Sequence, residues 1–218
     1  MKTIIIPDIH NNVLIANTIL DRYPNDPVVF LGDYFDDFHD TKWMAQEVAA
    51  WVKPQLNDQR KTWLFGNHDL PYAYPQVNGL MCSGFSWDKC GAINQVLDEN
   101  DWKMFKFSHF VEGWVLTHAG ISSKLTLPED EEITRSLRRG DLHPILNAGK
   151  GRGGWARCGG ITWCDFNREF KPNPLYPKQI FGHTQGHEPR SVGDNWCIDT
   201  KLRHYGIIED GEFRIENV

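Results

Sequence analysis

Asp, His and Asn recur in this chain where a short apolar run has just ended, usually beside a glycine. Residues 2–6 lead into Asp8-Ile9-His10, residues 28–31 into Gly32-Asp33-Tyr34-Phe35-Asp36, and residues 63–65 into Gly66-Asn67-His68-Asp69. Further on, residues 114–116 lead into Thr117-His118-Ala119-Gly120, and residues 179–181 into Gly182-His183-Thr184. Carboxylate, imidazole and amide groups together suit Mn, Fe, Zn, Co or Ni better than Ca, which prefers an all-oxygen shell. Asp8, His10, Asp33, Asn67, His118 and His183 are more donors than one open catalytic site needs, and they suit two ions sharing one bridging carboxylate. Each cluster alone has a plainer explanation, since Asn and Asp cap helices and Gly-Asp makes turns. The same chemistry repeated after five apolar runs does not.

Those runs are short and rich in Ile, Val, Phe and Trp, which is the pattern of buried strands. Residues 196–198 predict another. Residues 206–209 and 212–216 predict a hairpin around Asp210-Gly211, a common turn dipeptide. Between the early strands, residues 12–22, 42–56 and 88–99 carry helical spacing, the second through Trp43, Met44, Val48, Trp51, Val52 and Leu56. Strands alternating with helices, then a strand-rich half, predict an α/β fold in which a second sheet packs on the first. In open sheets of this kind, ligands collect at the carboxyl ends of strands, where all six donors fall. Residues 123–160 differ: the acids of residues 129–132 suit the first turn of a short helix, and a basic, glycine-broken stretch follows. This region reads as a loop-rich insertion in one domain spanning 1–218.

Composition narrows the class. The 218 residues carry 23 basic and 29 acidic side chains, a formal net charge of −6, which argues against general affinity for nucleic acid or anionic membranes. No apolar run is long enough to span a bilayer, and the opening run stops at Pro7-Asp8, too short for a signal-peptide core. The five cysteines, at 82, 90, 158, 164 and 197, lack paired metal-binding spacing and are expected to be reduced thiols in a cytoplasmic protein.

Taken in order, Asp-x-His, Gly-Asp-x-x-Asp, Gly-Asn-His-Asp, a lone His and Gly-His make the sequence resemble the calcineurin-like metallophosphoesterases across residues 3–200. The similarity leans to the phosphoprotein-phosphatase and diadenosine-tetraphosphatase branch in its bacterial or phage form. Thr117-His118-Ala119-Gly120, Ile161-Thr162-Trp163-Cys164-Asp165 and Cys197-Ile198-Asp199-Thr200 support that leaning. The resemblance implies a four-layer α-β-β-α sandwich and two divalent ions, Mn first, with Fe, Zn, Ni or Co as alternatives. It implies that Asp8 and His10 bind one ion, that Asn67, His118 and His183 bind the other, and that Asp33 bridges them. His68 would act on the phosphoryl group as general acid or electrostatic stabiliser, oriented by Asp36.

The implied function is hydrolysis of a phosphoester by a metal-bridging hydroxide, foremost a phosphomonoesterase of protein-phosphatase type on a phosphorylated protein or small molecule. A nucleotide or dinucleoside polyphosphate hydrolase is the alternative, and a silent phosphate-binding module the alternative from another class. Two positions depart from the family pattern. Gln185 stands where many relatives have a second His, and Asp37 stands where the phosphatase branch has a phosphate-gripping Arg. Another Arg must then bind the substrate. Arg168 is the first candidate, followed by Arg157 and Arg152 of the glycine-rich stretch.

Overall fold

The computed structural model describes residues 2–37 and 39–218, leaving Met1 and Phe38 outside. Its first half alternates strand and helix: β1 (Lys2–Ile6), α1 (Val13–Arg22), β2 (Val28–Phe30), α2 (Lys42–Val52) and β3 (Lys61–Leu64). Short helices α3 (Leu70–Ala73), α4 (Trp87–Asn94) and α5 (Glu99–Trp102) then precede β4 (Phe105–Lys106), β5 (His109–Val111) and β6 (Trp114–Leu116). After α6 (Asp130–Arg138) come β7 (Gln179–Phe181), β8 (Arg190–Val192), β9 (Asn195–Cys197), β10 (His204–Glu209) and β11 (Glu212–Asn217). One sheet has the order β11-β10-β1-β2-β3-β4, the other β5-β6-β7-β9-β8.

The strands that carry the predicted donors are parallel within each sheet. β1, β2, β3 and β4 run together in the first sheet, and β6, β7 and β9 in the second. Parallel strands place their carboxyl ends on one edge, so alternation with helices converts five separate motifs into one site. The sheets meet through Ile5, Val29, Leu31, Leu64, Trp114, Leu116, Ile180 and Ile198. The other face of the first sheet, with Ile4, Ile6, Val28, Phe30 and Trp63, packs on Ala16 and Ile19 of α1 and on Ala45, Val48, Ala49 and Val52 of α2. Adjacent residues of β1 thus serve opposite layers, as a period of two requires. This is the layered α/β architecture expected from the sequence.

Local differences have local causes. In α2 the buried stripe runs through small Ala45 and Ala49, whereas Trp43 and Met44, read as part of the apolar face, stand in solvent. Thr41 caps that helix by accepting from the Met44 amide. Residues 88–99 are not one helix, because Asp98 and Asp101 form a capping box that starts α5 afresh. The short strands β4, β5 and β8 escaped the sequence reading. The acid cluster does open a helix: α6 has Asp130, Glu131 and Glu132 in its first turn and Arg135 and Arg138 in its last, both favourable to the helix dipole. No described helix is long and apolar enough to cross a membrane.

Trp63 anchors the helix-side core, 1% exposed and stacked on Phe30 at 4.1 Å between ring centroids. Truncating a buried Trp leaves a large void, so Trp63→Ala is expected to lower stability by about 3–5 kcal/mol. Urea unfolding followed by circular dichroism checks this.

Candidate metal centre and its cavity

The edge where the parallel strands end opens into a cavity of about 530 Å³, with Asp8, His10, Asp33, Asn67, His68 and His183 on its wall. Two groups of donor atoms lie there, each with all atoms within 4.8 Å of one another: Asp8, His10 and Asp33, and Asp33, His118 and His183. Asp33 belongs to both. Its Oδ2 lies 3.3 Å from His118 Nε2 and 3.7 Å from His10 Nε2. Asn67 Oδ1 and His183 Nδ1 stand 3.1 and 3.2 Å from the same His118 nitrogen.

The hydrogen-bond pattern selects the tautomers. His10 Nδ1 faces the Phe35 carbonyl at 2.9 Å, and His118 Nδ1 faces the Leu31 carbonyl at 2.8 Å. A carbonyl only accepts, so each Nδ1 carries hydrogen, and each Nε2 is the atom turned toward Asp33 and, when it carries no proton, offers it a lone pair. Lone pairs aimed at a carboxylate repel unless a cation or a proton sits between them. Asp8 Oδ1 accepts from the His183 amide at 2.9 Å, while Asp8 Oδ2 is buried without a partner. This donor set and its orphaned carboxylate oxygen fit two divalent ions.

The charges tell the same story. Burial, reinforced by Asp199 and Asp33, pushes the Asp8 carboxyl well above its ordinary range. Burial acts the same way on Asp33, but His118, His68 and His10 outweigh it and hold the group well below that range. Burial disfavours a charged His118, yet the Asp33 charge and hydrogen bond push it up to about 9. Without metal, a proton does the work that a cation would do.

The backbone is strained where it presents these groups. His10, Asp33, Asp36 and His183 have φ of 42, 52, 66 and 65°, in the left-handed region. Close approach also demands glycine at two positions: a Cβ on Gly182 would collide with Asp8 Oδ2, and one on Gly66 with Asp33 Oδ1.

His68 sits on the cavity wall with Nδ1 3.0 Å from Asp36 Oδ2. Asp36 is gripped in turn on its other oxygen by Tyr72 Oη and Lys89 Nζ, each at 2.5 Å. Burial works against the Asp36 charge, but bonds from His68, Lys89 and Tyr72 prevail and lower its pKa. Burial also opposes a charged His68, yet Asp33 and Asp36 together push its pKa up to about 12. Its Nε2 is left for chemistry.

The structure does not bring every predicted residue to the cavity. Arg168 and Arg157 are exposed and lie off its wall, and Arg168 Nη1 instead donates to the Gly151 carbonyl at 3.0 Å. Arg152 does line the cavity, with Nε 2.9 Å from Asp165 Oδ2 and Nη2 3.3 Å from Thr184 Oγ1. Gln185, Asp37, Asp199 and Lys201 share the wall, whereas His187 lies by Arg203.

Sequence reasoning gave Asp69 no role. Fully buried, it accepts from the amides of Asp33 and Gly66 with Oδ2, both at 2.8 Å, and of Tyr34 with Oδ1 at 2.9 Å. It ties the turn after β2 to the turn after β3. Its place beside His68 in Gly-Asn-His-Asp was the available signal. Asp69→Ala strands three buried amides, and each such loss costs about 1–3 kcal/mol. It is expected both to destabilise the protein in urea and to weaken binding of Mn in equilibrium dialysis, because Asp33 loses its brace.

A family model for calcineurin-like phosphoesterases matches residues 1–185. Among curated proteins there is no match to the chain. Among solved structures, a cold-active protein-tyrosine phosphatase of a psychrophilic Shewanella is similar at 15% identity and a TM-score of 0.60, over 98% of this chain and 80% of that one. A protein serine/threonine phosphatase from Saccharomyces cerevisiae is similar at 13% identity and a TM-score of 0.56, over 99% and 79%. A candidate diadenosine tetraphosphatase gives 15% and 0.56, over 99% and 93%. At such identities these likenesses establish the fold.

Proposed function

The chain belongs to the calcineurin-like phosphoesterase family, and on that premise we propose that it is a phosphomonoesterase of protein-phosphatase type carried by one domain over 1–218. The observation that carries the proposal is His68, held by Asp36 on the wall of the same cavity that the double donor cluster around Asp33 lines. Asp8, His10 and Asp33 would hold one divalent ion, and Asp33, Asn67, His118 and His183 the other. When bound, such ions supply Lewis acidity toward phosphoryl oxygens and activation of water at neutral pH. Mn is the metal to try first. Location in the cytoplasm fits the reduced cysteines.

The chain's own residues do the rest. His68, with Nδ1 bonded to Asp36, presents Nε2 to donate a proton to the leaving oxygen. Tyr72 and Lys89 keep Asp36 ionised and fixed, so the ring neither turns nor loses its charge. Arg152, fastened at Nε by Asp165, directs its remaining guanidinium hydrogens at a phosphoryl oxygen and takes the place that Asp37 cannot fill.

A second reading, a dinucleoside polyphosphate hydrolase, rests on Lys201 and Trp163, which bring a second cation and an indole to the lining of the same cavity. Two cations suit a chain of phosphates, and an indole suits a base.

Metal-stripped protein is expected to be inactive on p-nitrophenyl phosphate and to recover with added Mn. With metal restored, His68→Ala should lower kcat by about 10²–10⁴-fold while leaving KM within a small factor. Full activity in the stripped protein or in His68→Ala would overturn the proposal. Arg152→Ala should act mainly by raising KM, read from the same assay. Comparing kcat/KM for the monoester and for diadenosine tetraphosphate separates the two readings, and preference for the latter favours the second. Bound metal with no turnover of either substrate would mark a silent phosphate-binding module.

A further inference from the structure

Behind the wall that carries Arg152, two free thiols face each other. Cys158 Sγ lies 3.8 Å from Cys164 Sγ, with Cys158 half-buried and Cys164 fully buried. The approach is built by the backbone. The Gly160 carbonyl accepts from the amides of Trp163 and Cys164, at 3.0 and 2.9 Å, so the chain reverses within one turn. Gly159 packs on the backbone of Trp163 and Cys164 where a Cβ would collide, which lets the two cysteines meet.

Glu169 completes a trio of possible metal donors with the two thiols. Its carboxylate is already committed, however: Oε1 accepts from the Gly151 amide at 2.6 Å and Oε2 from the Gly159 amide at 2.8 Å. Two thiols with an occupied carboxylate fall short of the four ligands that a structural zinc site uses. Dithiol chemistry is what the pair is arranged for.

The pair is also wired to the cavity. Cys164 lies between Trp163, on the cavity wall, and Asp165, which pairs with Arg152. Cys158 adjoins Gly159, which Glu169 links to Gly151, the neighbour of Arg152. A disulfide needs the sulfurs at about 2.05 Å, so forming one shifts side chains whose backbone neighbours carry Trp163, Asp165 and the Glu169 link to Gly151.

We propose that Cys158 and Cys164 are a peroxide-oxidisable dithiol whose disulfide displaces Arg152 and Trp163 and slows turnover at the metal centre. In the first step the Cys158 thiolate attacks a peroxide oxygen. The S–O bond forms, the O–O bond breaks, and the leaving oxygen departs as water once protonated. In the second step the Cys164 sulfur attacks the Cys158 sulfenic acid. The S–S bond forms, the S–O bond breaks, and hydroxide leaves as water with the Cys164 proton. Peroxide is reduced and the thiol pair oxidised by the same two electrons. Cys158 is the attacking partner because it is the more exposed, and the bond it shares with Cys164 pulls its pKa down to about 7. A small dithiol reverses the change by exchange.

The effect on turnover rests on the proposed function, whereas the dithiol itself does not, and the experiment separates them. Mn-loaded protein is treated with hydrogen peroxide, alkylated and mapped by peptide mass spectrometry, with p-nitrophenyl phosphate hydrolysis followed alongside. A Cys158–Cys164 linkage is expected, with Cys82, Cys90 and Cys197 still alkylated. kcat/KM should fall about tenfold or more, as displacement of a substrate-positioning group by about 1 Å can cost more than that, and dithiothreitol should restore it. Cys164→Ser should accumulate a sulfenic acid at Cys158 that a 1,3-diketone probe labels, and should show no restorable loss tied to a linkage. If both thiols stay alkylatable after peroxide, or link elsewhere, the dithiol is overturned. A complete linkage with kcat/KM unchanged overturns its coupling to the cavity. If the reduced, Mn-loaded protein hydrolyses nothing, the proposed function fails while the mapping still decides the dithiol.

Discussion

The arrangement turns on three carboxylates brought together in a space too dry to keep their charges apart. Asp8, Asp33 and Asp199 are 2, 2 and 4% exposed and face one cavity. Burial, with the neighbouring carboxylates adding to it, drives Asp8 and Asp199 toward their neutral forms, and the surrounding imidazoles hold Asp33 ionised. Like charges in low dielectric repel strongly, and desolvation adds to the cost. A protein that kept such a cluster for stability alone would do better with apolar groups. The cluster makes physical sense as a cradle for positive charge, and the left-handed backbone at His10, Asp33 and His183 is part of what holding it open costs.

The rest of the fold keeps that cradle in place. Parallel strands put Asp8, His10, Asp33 and Asn67 at one end of the first sheet, and His118 and His183 at the matching end of the second. The two sets meet because the inter-sheet core fixes how the sheets stack. Hydrophobic packing sets that placement to within side-chain reach, and Asp69 then sets the finer register by joining two strand-end turns through three amides. The fold therefore positions the site on two length scales, packing for the sheets and buried hydrogen bonds for the turns.

This division explains what the sequence could and could not tell. The candidate donor positions were legible because each sits in a local motif at the end of an apolar run, and β1, β6 and β7 began and ended where those runs did. The supports were not legible because they act across the chain. Lys89 reaches Asp36 across 53 positions and Tyr72 reaches it across 36. A buried lysine on a short helix has no signature of its own. Which arginine would line the cavity was ambiguous for a similar reason. Arg152 and Arg168 belong to neighbouring parts of one irregular loop, and the pairing with Asp165 turns Arg152 inward while Arg168 binds the Gly151 carbonyl outside. The short strands β4, β5 and β8 were missed because two or three residues carry too little alternation to stand out from a loop.

Asp37 makes the loop matter more than it would in a scaffold with an arginine at that position. Five aspartates line the cavity against the fixed cations Arg152 and Lys201. Two divalent ions would bring four positive charges against the two carboxylates, Asp8 and Asp33, that would hold them, and outside the metal ligands the pull on a phosphate dianion falls to Arg152, Lys201 and His68. Of these, Arg152 is the one held by partners that also bear on the glycine-rich segment: Asp165 through its ion pair, and Glu169 through the Gly151 amide. A guanidinium anchored at Nε keeps its planar fork in one orientation and loses less freedom on meeting phosphate than an unanchored one. The donor cluster is thus set by sheet geometry, whereas Arg152 is set by a loop, and each can change without rebuilding the other.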